Sequence, residues 1–190
     1  VWQLAVAAVA GYVVGSLSPA TVVARRAGLD LRSVGSGNPG ATNVGRALGP
    51  RIGAVVALLD VLKGAAPAVG FGLLAVSAGL LAGVAAVLGH VSSPLLRGRG
   101  GKGVATAFGA VVGSHPLWAP VALVAWLLGL LATRVVAVAS VVAAVSTVVL
   151  AVVVRADRAS VAWACAIAAI VTARHAGNVR RWWRRRHAGA

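Results

Sequence analysis

The chain has 190 residues, of which 59% are hydrophobic and 11% charged, and its mean hydropathy is +0.92. This composition excludes an ordinary soluble domain, in which about a quarter of the residues are charged, and disorder, which requires low hydrophobicity. Eighteen Lys and Arg against three acids, all Asp, give a net charge of +15. Most of these basic residues fall between or after apolar stretches, so membrane orientation and anionic partners account for the charge better than nucleic acid does.

In chain order, apolar segments run over 1–23, 52–71, 73–90, 104–114, 117–133, 135–154 and 159–173. They predict an all-α polytopic integral membrane protein with about seven transmembrane helices. The whole chain, 1–190, reads as one membrane-embedded domain, with 174–190 as a basic tail. The first segment has no basic residue before Arg25 and no clean small-residue cleavage site, so it reads as a span rather than a cleaved signal peptide. The stretch 52–90 is long enough for two spans, with a turn expected near 69–72. The fourth segment is too short to cross a hydrocarbon core of about 30 Å without help from its flanks. Trp118, Trp182 and Trp183 suit interfaces, whereas Trp126 and Trp163 read as mid-span. Cys165 lies in the last apolar run and reads as a packing residue, without disulfide or metal-ligand spacing.

Basic residues crowd 24–51 (Arg25, Arg26, Arg32, Arg46, Arg51), 90–103 (Arg97, Arg99, Lys102) and the tail (Arg174, Arg180, Arg181, Arg184, Arg185, Arg186). Seven spans put all three on one side, together with Arg134. The positive-inside rule then places the amino terminus outside and the tail in the cytoplasm. The tail arginines, with Trp182 and Trp183, predict attachment to anionic lipid.

Two of these loops match G-x-G-x-x-G. The first is Gly35-Ser36-Gly37-Asn38-Pro39-Gly40, continuing Ala41-Thr42-Asn43; the second is Gly98-Arg99-Gly100-Gly101-Lys102-Gly103, continuing Val104-Ala105-Thr106. A dinucleotide fold is excluded because membrane spans flank both loops in place of strands, and a Walker A loop because Gly103 follows Lys102. The underlying physics needs neither fold. Glycine exposes successive backbone N–H groups as an anion-binding nest, and a following helix points its positive end at the ligand. With Arg46 near one nest and Lys102 in the other, the pattern predicts sites for two phosphate groups on one membrane face. The plainer alternative is close helix packing with cations that only set topology. A third cluster pairs His175 with Asn178, three residues apart on one helical face at the end of the last span. A histidine there can act as a base, orient an anion, or simply cap the helix. Asp60 and Lys63 share a face within the second span and read as a structural pair, while His90 either caps the second loop or faces the site. His115 falls on the far side, and Ser140 reads as bonded to its own helix.

Taken together, the unbroken stretch from Val34 to Val44 with Arg46, then Gly100 to Thr106, then His175 with Asn178, resembles the three motifs of the PlsY family of bacterial acyl-phosphate:glycerol-3-phosphate acyltransferases. The resemblance spans nearly the whole chain. It departs from the family pattern in shifting two prolines by one position (Pro19 and Pro94) and in having Ala176 after His175. It implies seven helices in the bacterial inner membrane, an outside amino terminus and an active site on the cytoplasmic face. The implied substrates are glycerol 3-phosphate and an acyl phosphate, giving lysophosphatidic acid and phosphate without a metal or cofactor. By the same resemblance Ser36, Thr42, Asn43 and Arg46, within the frame of Gly35, Gly37, Asn38 and Gly40, would hold one phosphate. Lys102 with Gly100, Gly101, Gly103 and Thr106 would hold the other, with the assignment of loop to substrate left open. His175 and Asn178 would orient or help deprotonate the glycerol hydroxyl, and Ser140 would contribute to the pocket. The rival readings are a small-anion transporter and a non-catalytic membrane protein that binds lipid or anions; no internal repeat supports the former.

Overall fold

The computed structural model describes residues 2–187, apart from the side chain of Arg185. Residues 1 and 188–190, assigned above to the first span and the basic tail, lie outside the described residues. The described chain is helical: α1 (Trp2–Ser16), α2 (Pro19–Arg26), α3 (Ala41–Leu48), α4 (Pro50–Gly72), α5 (Val76–Val91), α6 (Val104–Ser114), α7 (Ala119–Thr133), α8 (Val136–Val153) and α9 (Arg158–His187). Single 3-10 turns occupy Pro94–Leu96 and Pro116–Trp118. Six stretches are long and apolar enough to cross a membrane, and α6 is the shorter apolar helix expected from the sequence. The turn expected near 69–72 falls just later, because α4 continues to Gly72.

Packing divides the chain into two compact units, Val1–Ser114 and His115–Ala190. In the first, α1 packs on α5 and α4 on both α5 and α6. Lipid tails are as apolar as leucine, so association in a membrane rests on close van der Waals contact between small residues. At Gly11 and Gly15 a Cβ would land on the carbonyls of Ala82 and Ala86, and at Gly89 on that of Tyr12. The α4–α6 seam is equally tight: Gly64 faces the carbonyl of Thr106, and Gly109 that of Val61. Larger apolar side chains such as Val55, Leu58 and Leu62 of α4 point outward, as lipid-facing residues should.

The first span is broken. Pro19 lacks an N–H and its ring clashes with a continuing helix, so α1 stops at Ser16. The chain restarts at α2, where the Ser18 hydroxyl accepts from the Thr21 N–H at 3.3 Å. The break strands the carbonyls of Ser16 and Leu17. Ser93 Oγ donates to the first at 2.7 Å and Lys63 Nζ to the second at 2.7 Å.

In the second unit α8 packs against α7 and α9. Asp157 caps α9, accepting from Ser160 N at 3.0 Å and Ser160 Oγ at 2.7 Å, and these bonds hold its carboxyl below the usual carboxylate range. The α9 helix runs unbroken through the basic residues to His187, so the described part of the tail is helical. Trp163 lies in the second turn of α9 and groups with His115 and Trp118, whose rings stack on each other at 4.0 Å. Cys165 faces outward rather than into the packing.

Candidate active site

Each glycine-rich loop runs directly into a helix N-terminus, the first into α3 and the second into α6. The first N–H groups of a helix lack intrahelical acceptors, so both loops end in donors aimed outward.

The first loop is organised by one residue. Asn43 is buried, and its side chain accepts from Ser36 N at 3.0 Å while donating to Leu31 O at 3.1 Å and Val34 O at 3.0 Å. The amide thus acts on the loop's shape, and its polar atoms turn inward. Gly35 (φ +57°) and Gly37 (φ +68°) supply the left-handed backbone this path needs. A Cβ on Gly35 would also strike Asn43 Oδ1. Gly37 N bonds Val34 O at 3.0 Å, and Gly40 N bonds Asn38 O at 2.9 Å. Around this frame Ser36, Thr42 and Arg46 are exposed, with Arg46 in the last turn of α3.

The second loop leans on α5. Gly101 N donates to His90 O at 3.1 Å and Gly100 N to Val91 O at 3.2 Å. A Cβ on Gly100 would strike His90 O, and one on Gly101 would strike the His90 ring at Nε2. Gly103 (φ +79°) turns the chain into α6, and its carbonyl takes the first helical bond from Ala107 N at 2.7 Å. Lys102 is half-buried. Thr106 is fully buried; its hydroxyl lies 3.2 Å from His90 Nδ1. It therefore supports the loop from behind.

The two loops meet. Arg32 Nη2, from the segment before the first nest, donates to Leu96 O at 3.2 Å in the turn before the second. Sequence reasoning counted Arg32 only as an orientation charge and missed this bridge. It also missed what Asp60 and Lys63 do. Lys63 lies 3.0 Å from Asp60 and closes the break in the first span, while Asp60 Oδ1 lies 3.6 Å from His90 Nδ1. The available signal was a proline two residues past Ser16-Leu17, beside a charge pair three residues apart in an apolar stretch.

Ser140, His175 and Asn178 belong to the second unit. Ser140 Oγ donates to Val136 O at 2.7 Å, as a helical serine does. His175 is buried, with Nδ1 2.8 Å from Val171 O. A carbonyl only accepts, so Nδ1 is the donor in this contact. Asn178 Oδ1 accepts from Arg181 Nη2 at 2.8 Å. Among the described residues no group of three or more His, Cys, Asp or Glu could hold a metal ion.

Comparison with known proteins decides the family. The family model for glycerol-3-phosphate acyltransferase matches residues 5–185. The chain belongs to the glycerol-3-phosphate acyltransferase family. One curated glycerol-3-phosphate acyltransferase, from Geotalea daltonii, is 38% identical over 175 residues, covering 91% of this chain and 90% of the relative. A crystal structure of PlsY, an integral membrane glycerol 3-phosphate acyltransferase, in its glycerol 3-phosphate form is 37% identical. It superposes with a TM-score of 0.89 over 94% of this chain and 90% of that one. The lysophosphatidic acid form is 35% identical and gives 0.87 over the same shares. In this acyltransferase family member both glycine-rich loops lie in the first unit, and the His175–Asn178 pair lies in the second.

Proposed function

We propose that the protein is a membrane acyltransferase that moves a fatty acyl group from an acyl phosphate to the 1-hydroxyl of glycerol 3-phosphate. The observation that carries this reading is the family match over residues 5–185, which takes in both glycine-rich loops and the His175–Asn178 pair. The named activity of the relative and the ligand forms of the solved neighbours support the acceptor and the product.

The hydroxyl oxygen bonds to the acyl carbonyl carbon, and the bond from that carbon to the phosphate oxygen breaks. The hydroxyl proton leaves with inorganic phosphate, directly or with the help of His175. Phosphate is a good leaving group, so no enzyme nucleophile is required; positioning and charge stabilisation supply the acceleration. Ser36, Thr42 and Arg46 hold one phosphate, on a loop whose path is set by Gly35, Gly37, Asn38 and Gly40 and kept in shape by Asn43. Lys102 holds the other, on a path set by Gly100, Gly101 and Gly103 and braced by Thr106. The roles that the family resemblance suggests for the second unit are orientation of the glycerol hydroxyl by His175 and Asn178 and a substrate contact by Ser140. The whole chain acts as one domain in a bacterial inner membrane, with seven crossings and the loops in the cytoplasm. Arg25, Arg26, Arg32, Arg46, Arg51, Arg97, Arg99 and Lys102 surround the two loops, as the positive-inside rule requires. The basic end of α9 rests on anionic lipid, where Arg186 stacks over Trp182 at 5.6 Å.

The purified protein is expected to release phosphate from an acyl phosphate only when glycerol 3-phosphate is present, with one lysophosphatidic acid formed per phosphate. Absence of that dependence at every acyl chain length overturns the reading.

A further inference from the structure

Two buried charges inside a membrane span are costly unless each has a partner and a task. Asp60 and Lys63 of α4 are both buried, and together with His90 and Thr106 they form a continuous chain of contacts. The chain starts at the broken first span. Lys63 Nζ donates to Leu17 O at 2.7 Å, closing a carbonyl that Pro19 leaves without a helical partner. Asp60 neutralises Lys63 at 3.0 Å and lies 3.6 Å from His90 Nδ1, and Thr106 Oγ1 lies 3.2 Å from that same nitrogen. The opposite edge of the imidazole, at Nε2, fills the place where a side chain on Gly101 would stand. The His90 carbonyl also takes the Gly101 N–H at 3.1 Å. His90 therefore meets the residue next to Lys102 with both ring and backbone, and Thr106 stands within hydrogen-bond distance of the ring's far edge, with Asp60 just beyond.

We propose that Asp60, Lys63 and His90 are positioning residues that set the second glycine-rich loop, so that the break in the first span and the placement of Lys102 are mechanically one feature. None of the three needs to touch substrate. The inference rests on the reading above for what the loop holds, the phosphate group of one substrate, and it adds the buried charges that hold the loop in place.

The test uses the ring-to-glycine contact, because Gly101→Ala collides with the His90 ring whereas His90→Asn retains a polar atom near Nδ1 and removes the ring edge. Gly101→Ala is expected to raise KM for one phosphorylated substrate about tenfold or more, with kcat and the KM of the other changed less than about twofold. Adding His90→Asn to Gly101→Ala should recover a large part of that affinity, a coupling that two independent defects would not show. Equal rises in both KM values with a parallel fall in kcat would overturn the proposal, as would strict additivity of the pair. A second arm titrates inorganic phosphate into the detergent-solubilised full chain and follows protection against thermal unfolding, with Lys102→Ala as the reference. Weaker protection in Gly101→Ala, recovered in the double variant, supports the positioning role even if no acyl phosphate is ever consumed. Phosphate protection in Gly101→Ala equal to wild type sinks it, even in a fully active enzyme. The paired change Asp60→Asn with Lys63→Met, which removes both charges together, is expected to raise the same KM; an unchanged KM in that folded variant would also count against the proposal.

Discussion

The two glycine-rich loops share a pattern and differ in what holds them. The first is self-contained: Asn43, seven residues after Ser36, reaches back with three hydrogen bonds to Ser36, Leu31 and Val34. The second is tied to a neighbouring helix: Gly101 N and Gly100 N donate to His90 O and Val91 O of α5. Its path is imposed by the end of α5 and by a buried set of polar groups drawn from α4, α5 and α6. One nest is a local invention of its own segment, and the other is an impression left by the surrounding helices. Identical sequence signatures therefore do not imply identical failure modes.

Removing the charges that the nests serve should have the largest effect and should treat the two loops alike. Lys102→Ala and Arg46→Ala are each expected to lower kcat/KM by about two to three orders of magnitude while the protein still folds, measured as glycerol 3-phosphate-dependent phosphate release. Wild-type rates in either would remove that residue from the site. Asn43→Ala should come next and should separate the loops. It leaves the Ser36 N–H and two carbonyls without their partner, at about 1–3 kcal/mol for each group that stays buried. Activity should be lost while phosphate protection through the second loop persists, which a binding titration would show. A smaller effect is expected from Arg32→Ala, which cuts the bridge to Leu96 O without entering either nest. A few-fold change in both KM values together would mark it as the coupling between loops, and a change in only one would show that they move independently. The smallest concerns a cap in the other unit. Asp157→Ala should leave kcat/KM unchanged and slightly lower thermal stability. The Ser160 bonds depress the folded carboxyl's pKa, so the cap contributes above the usual carboxylate range and is lost as pH falls below it through the depressed value. The wild-type advantage over Asp157→Ala should shrink in acid and hold at neutral pH.

The spans and the nests were legible because their signals are local: runs of apolar residues, and glycines placed before helices. The broken first span was half legible, since Pro19 announces a stop, but which side chains would close the stranded carbonyls depends on what α4 and α5 bring alongside. For the same reason Arg32 and Ser93 could not be separated in sequence from ordinary loop residues, and the Asp60–Lys63 pair, visible as charges in an apolar run, did not reveal the carbonyl that it closes. The apolar run 159–173 marks only the first part of α9, which extends from Arg158 to His187, because nothing in the basic sequence beyond it breaks the helix. Thr106 follows the motif directly, yet a helix turns its successive side chains around its axis, and this one faces the core.

The seams of the first unit also set how freely the chain can be rewritten. Where α1 meets α5 and α4 meets α6, the gap at Gly11, Gly15, Gly64, Gly89 and Gly109 is already filled by a neighbour's carbonyl. A rigid backbone atom cannot rotate away as a side chain can, so the alphabet at these positions has a single letter. Outward positions such as Val55, Leu58 and Leu62 meet only lipid and accept nearly any apolar residue. The outward-facing share of the 59% that made the chain recognisable as a membrane protein is therefore interchangeable spelling. What individuates this fold is written in the residues that have no side chain at all.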